Sequence, residues 1–273
     1  MKLTQQALTP DDQRALQPVA DMLDRLVAIS TTNLVHDAAY RPVPGSRLHA
    51  AMSANLRDAY ELAGQRLMSA EDHLRTVRVL LAPESLLPNF SLFTLIRGAA
   101  VATVHARHLL DPAIDELARL GRGLNVRLEN LEQQQKVHPE VQADHFKTRI
   151  AHLERRAIAN GLQPIPNKKG VTIAFGAHRY SDTELFEMYL PGIGKTYFQY
   201  VSGYAHSLPW AQLPMSRAQP SDDPEVSLVP TDVNVPVLAA VLKGALTLYD
   251  ETIGYWLAHA GYPPEVWAEA KKR

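Results

Sequence analysis

The sequence predicts an all-α fold, a multi-helix bundle of about seven helices with one long Pro-rich loop at 208–234. Three observations predict it. Apolar residues recur at three- and four-residue spacing through most of the 273 residues. Capping residues and helix breakers fall at the ends of those stretches. Strand signals are close to nil, the one short β-prone run being Val171–Phe175.

The elements follow in order. Thr9, Pro10, Asp11 and Asp12 make a helix start, with a cap, a first-turn proline and acids at the positive end of the dipole. Leu16, Val19, Leu23, Leu26 and Val27 carry that helix to about Ser30–Asn33. After Pro42, Pro44 and Gly45, one stripe runs from Met52 through Tyr60, Leu67 and Leu74 to Leu81, predicting a helix over 47–81 that Pro83 stops. Asn89 or Ser91 caps a third helix to Leu110, apolar on most sides and therefore central. Its Gly98, Ala99, Ala100 and Ala102 allow a neighbour to approach closely. A fourth helix restarts at Asp111-Pro112 and reaches Lys136. A fifth begins at Pro139 and ends at the C-cap Asn160-Gly161. Ser181-Asp182-Thr183-Glu184 is a capping box for a helix to Tyr189. Helices follow over 194–207 and 235–260, then a short tail after Pro263-Pro264. The domain reading is an N-terminal helix and linker, 1–45, and a main bundle, 46–273, sharing one core.

Composition narrows the function classes. With no cysteine, disulfides, thiolate metal sites and a cysteine nucleophile are excluded. A net charge of −1, from 28 basic and 29 acidic residues, gives no global pull toward nucleic acid or an anionic membrane. The N-terminus has no long apolar run, and no stretch approaches the ~20 apolar residues that span a bilayer. The expectation is a soluble cytoplasmic chain, bacterial by its Ala- and Arg-rich composition, with no membrane partner.

Several constellations resemble chemistry. Gly194-Lys195-Thr196 matches the tail of a phosphate loop, but Tyr189 stands where that loop needs its first glycine, so a helix-to-helix turn is the better reading. His138, His145 and His152 recur every seven residues, which separates them by ~10 Å along a helix, too far to share a metal. His105 and His108 lie three apart, yet no Glu-x-x-His pair supports a metal bundle, so no metal and no cofactor is assigned. Phe198 to Ser207 is richer: Ser202 and His206 are four apart on one face, so His206 is a candidate general base oriented by Ser202.

Two segments carry a family resemblance. Leu95-Ile96-Arg97-Gly98-Ala99-Ala100, ending in His108-Leu109-Leu110-Asp111-Pro112, resembles a helix of an uncharacterised actinobacterial helical family. Members typically also carry a Tyr-Arg-x-x-Ser-Gly-x-x-His helix, here Phe198-Gln199-Tyr200-Val201-Ser202-Gly203-Tyr204-Ala205-His206. The Arg-x6-His spacing is similar to the HEPN superfamily, helical bundles that use Arg and His for metal-independent RNA cleavage, often as dimers. This chain departs from that pattern twice. Gln199 stands in place of the Arg, and Val101 in place of the Glu four residues after Arg97. Losing one charged donor costs about 10²-fold or more in rate. Arg97 or Arg179 must substitute for it, or the copy is inert.

Three readings follow. The first is a HEPN-like interaction or regulatory protein, RNA-binding or defence-related and catalytically inert, partnered by RNA, a protein or a second copy in a homodimer. It expects a basic groove beside the His206 helix. The second is a metal-independent ribonuclease or hydrolase using His206, Ser202 and Arg97. The third is a small-molecule binder lined by aromatic residues such as Tyr197, Phe198, Tyr200, Tyr204, Trp210 and Trp256. The binding candidates are Gln199, Tyr204, His105 and Arg179.

Overall fold

The structure, a computed structural model of the chain, describes residues 8–28, 41–51, 56–82, 88, 90–138, 143–212, 219–220, 227–228 and 234–272. The helices are α1 (Pro10–Ala28), α2 (Arg47–Ala51), α3 (Arg57–Leu80), α4 (Ser91–Leu110), α5 (Glu116–Val137) and α6 (Ala143–Ala159). An antiparallel hairpin follows, β1 (Pro164–Pro166) with β2 (Thr172–Phe175). Then come α7 (Asp182–Tyr189), α8 (Gly194–Ala205), α9 (Pro209–Gln212), the short pairing of β3 (Gln219–Pro220) with β4 (Ser227–Leu228), α10 (Val235–His259) and α11 (Pro264–Ala270). The predicted all-α bundle is the observed fold.

Local chemistry sets most boundaries. At α1, Asp12 accepts from Thr9 N at 3.1 Å while Thr9 Oγ1 accepts from Asp12 N at 3.2 Å, a reciprocal cap. The Ser181–Glu184 box is formed at α7. Gly161, at φ 84°, takes the left-handed conformation that ends α6. The fourth predicted helix begins later than expected, because Asp115, not Asp111, caps α5 through Ala118 N at 2.7 Å. The helix expected over 47–81 is described as α2 and α3, and residues 52–55 lie outside the described residues. In the long 208–234 loop, α9 and the β3–β4 pairing are described; 213–218, 221–226 and 229–233 are not.

α4 lies at the centre, as its all-round apolarity predicts. It packs along α3 and α10 and also against α5, α7 and α8. Leu92, Phe93, Ile96, Val104, Leu109 and Leu110 are buried to within 1% of full enclosure, and each such side chain contributes about 1.5–3 kcal/mol. At Gly98 the ring of His73 on α3 lies 2.6 Å from where a Cβ would sit, so the close approach needs that glycine. α1 lays Leu16, Leu23 and Leu26 into the same core and packs on α10. A smaller cluster, built from Leu124, Leu128, Phe146, Ala157 and Phe175, joins α5, α6 and β2. Leu56 packs against both clusters.

The C-terminus of α4 is buried, so its orphan carbonyls need partners. Arg122 donates to His108 O at 2.6 Å. Arg119, with no exposed surface, donates to Leu109 O and to Asp111 O, the latter at 3.1 Å. His259 of α10 meets Leu110 O at 2.9 Å. Two guanidiniums and an imidazole thus finish a helix that has no glycine cap.

Candidate functional site

α4 carries Arg97 and His105 eight residues apart, about 12 Å along one side of the helix. Each is engaged by a different later helix. Arg97 Nε donates to Ser202 Oγ of α8 at 3.0 Å, and the guanidinium lies over the Phe198 ring, 5.7 Å from its centroid. Ser202 and Phe198 are one turn apart on α8, so a single α8 face receives Arg97. Two turns along, His105 Nε2 lies 2.8 Å from Asp182 Oδ1 at the first position of α7. The capping box holds that end of α7, with Ser181 N donating to Glu184 Oε2 at 2.7 Å.

The electrostatics agree with the geometry. The hydrogen bond from His105 holds the Asp182 carboxyl below the usual carboxylate range. Partial burial works against this, and the nearby charges of His105, Arg97 and Arg66 add to it. The result is a half-buried pair of clamps, Arg97 to α8 and His105 to α7, with Arg66 of α3 supplying a further charge. Chemically it resembles an oriented imidazole–carboxylate pair flanked by guanidiniums.

The other predicted residues are dispersed. His206 is the C-cap of α8. Its backbone N–H donates to Ser202 O at 2.9 Å, and its exposed imidazole has no partner among the described residues. Gln199 is exposed on α8. Tyr204 is a core residue stacked on Phe93 at a centroid distance of 3.9 Å, and burial pushes its hydroxyl pKa up. Arg179 makes a forked ion pair with Glu132 of α5, at 2.9 and 3.3 Å, away from Arg97. His108 meets Tyr189 at 3.2 Å, and Tyr189 donates to Asp111 at 3.3 Å, so the two α4 histidines serve different contacts.

Of the aromatic group, Tyr197 is buried with its hydroxyl donating to Val241 O at 2.8 Å, Trp256 is buried against Gly64, and Trp210 is exposed beside Gly203. The Gly192–Gly194 segment is a helix-to-helix turn. Gly192 sits at φ 84°, and a Cβ on Gly194 would lie 1.9 Å from Phe186 O. His138 is the C-cap of α5, while His145 and His152 are exposed on α6. Among the described residues, no group of three or more His, Asp or Glu is placed to hold a metal, and no helix is long and apolar enough to cross a membrane.

Compared with family models, curated proteins and solved structures, the chain matches none of them. Two site features escaped the sequence reading. Asp182 was read as part of a cap and not as the partner of His105, 77 residues away. The arginines of α5 and α6 carry no motif that singles them out in the sequence, although Arg149, His152 and Arg156 recur at helical spacing on one side of α6.

Proposed function

We propose that the chain is a HEPN-like helical module that acts by binding and not by turnover, in a regulatory or defence setting. The supporting observation is the state of the groups that such a reaction would use. A general base needs an oriented imidazole, and a phosphorane needs a nearby permanent cation. His206 is exposed with no orienting partner among the described residues, and Gln199 has no charge to offer. Arg97, the candidate substitute, already donates to Ser202.

The test is a cleavage assay with purified full-length chain, using single-stranded and hairpin RNAs without added metal. The expected result is intact RNA, identical for wild type and His206→Ala. RNA cleavage that disappears in His206→Ala would overturn the reading.

The enzyme reading keeps one observation in its favour. The Arg97–Ser202 bond brings a permanent cation onto the helix that bears His206, one turn before that residue. It requires cleavage to fall in Arg97→Ala as well, so the same assay separates the two.

A further inference from the structure

A cleft of about 420 Å³ opens between α5 and α6, away from the Arg97 clamps. α6 packs on α5 and β1, whereas α8 packs on α4, α7 and α9. The cleft is lined by Arg127 of α5 and by Arg149, Arg155 and Arg156 of α6, with His152 among them. Among the described residues, the only carboxylate in its lining is Asp58, at the start of α3.

The charges do not cancel. Arg127 donates to Asp58 at 3.1 Å and lies 4.0 Å from Glu61, and Arg156 grips the second Asp58 oxygen. Arg156 and Arg127 together hold the Asp58 carboxyl below its ordinary range in spite of burial, so it is ionised and fully committed to them. Arg149 donates to the neutral amide of Gln134 at 3.1 Å, and Arg155 to Ala151 O of its own helix at 3.4 Å. Neither is paired with a carboxylate among the described residues. A guanidinium cannot shed its charge, so these four repel one another in the ligand-free chain. An anion entering the cleft relieves that repulsion.

The geometry points to a phosphate-binding site that takes the phosphate of a nucleotide, whether that nucleotide is free or at the end of an RNA. Arginine forks match phosphate oxygens two at a time, and the two arginines without a carboxylate partner are the ones exposed to an incoming ligand. His152 adds an imidazole donor, while the Thr148 hydroxyl, which lines the cleft, already donates to Asp144 O at 2.8 Å. Buried Leu131 and Leu153 give the cleft an apolar floor suited to a base. The volume falls in the range of small-molecule sites, about 300–1,000 Å³. This inference is independent of the HEPN-like reading.

The test is titration of the full chain with ADP, and separately with a short 5′-phosphorylated oligoribonucleotide and its 5′-hydroxyl counterpart, at low and moderate salt. The variants are Arg149→Ala with Arg155→Ala, Arg149→Lys with Arg155→Lys, and Arg14→Ala, an exposed charge on α1. Saturable binding of ADP or of the phosphorylated RNA is expected. The double alanine variant should weaken it about tenfold or more, the lysine variant should weaken it less, and Arg14→Ala should leave it unchanged. Binding of ADP identifies the free nucleotide as the source, and binding of the phosphorylated RNA alone identifies the RNA end. No saturable binding of either probe by a folded chain would overturn the proposal. So would binding untouched by the double alanine variant, or capture of polyglutamate but neither phosphate probe.

Discussion

Arg119 has no exposed surface, yet its nearest carboxylate, Glu116, is 3.7 Å away. It is held by the carbonyls of Leu109 and Asp111 and by the face of Tyr60, 5.6 Å from the ring centroid. A buried guanidinium survives there because it completes the end of α4. Replacing it by Met removes donors from carbonyls that no water reaches, at about 1–3 kcal/mol for each one stranded. Arg119→Met is therefore expected to lower the urea midpoint sharply, and an unchanged midpoint would contradict the capping role.

His259 does the same work with a titratable group. Leu110 O only accepts, so Nε2 carries the proton, and Tyr60 donates its hydroxyl to Nδ1 at 3.1 Å. Burial pushes this imidazole down to about 4, and burial with the charge of Arg122 pushes His108 down to about 3. The unfolded chain takes up these protons below 6.5, the ordinary value, while the folded chain refuses them. Stability is thus complete above pH 6.5 and is lost as pH falls toward 4. One unit of displacement is worth about 1.4 kcal/mol, so a loss of a few kcal/mol is expected. The depressed carboxylates Asp58, Asp111 and Asp182 act below their ordinary 3.8, outside this window, and the exposed Glu184, held below its ordinary 4.5 by Ser181, enters only at its acid edge. A urea midpoint that is flat from pH 6.5 to 4, or a slope that His259→Leu leaves unchanged, would rule this out.

At the scale of elements, α7 and α8 fold back on each other at Gly192–Gly194. The close approach places Phe186 O where a Gly194 side chain would be. That neighbour is backbone and cannot rotate away, so Gly194→Ala must separate the helices and is expected to cost about 1–3 kcal/mol. Gly254, inside α10, meets nothing within 4 Å. Gly254→Ala should instead raise stability by about 0.4–1 kcal/mol. Thermal melts of the two variants should move in opposite directions, and a common direction would refute the packing argument. The element scale is also where the sequence was most legible. Repeats such as Leu16, Val19, Leu23 and Leu26 and caps such as Thr9 and Ser181 act within one turn, so their physics is written locally. The contact between His105 and Asp182 spans 77 residues, and the α5–α6 cleft needs two helices and the start of α3. Neither leaves a local pattern. Tyr204 misled for a related reason. Its spacing from Tyr200 fits a pocket wall as well as a core face, and only Phe93, from another helix, decides between them.

At the scale of the molecule, the two hydrophobic clusters divide the labour. α4 is enclosed by α3, α10, α8, α7 and α5, and its backbone is released only when several helices separate. α6 buries mainly Phe146, Leu153 and Ala157, against α5 and β1, and leaves its arginine-bearing side open. Opening α6 exposes less apolar surface than opening α4, so it costs less free energy. Native-state hydrogen exchange should therefore show α6 amides exchanging faster than those of α3, α4 and α10, by a sub-global opening that leaves the larger core intact. The repulsion among Arg149, Arg155, Arg127 and Arg156 works in the same direction. An anion bound in the cleft should slow exchange in α6 and the facing turns of α5 more than elsewhere, because it binds the closed arrangement and not the open one. Equal protection of α6 and α4 would mean that the two clusters open as one unit. Slowing spread evenly over the chain on adding ADP would locate the ligand's effect outside this cleft.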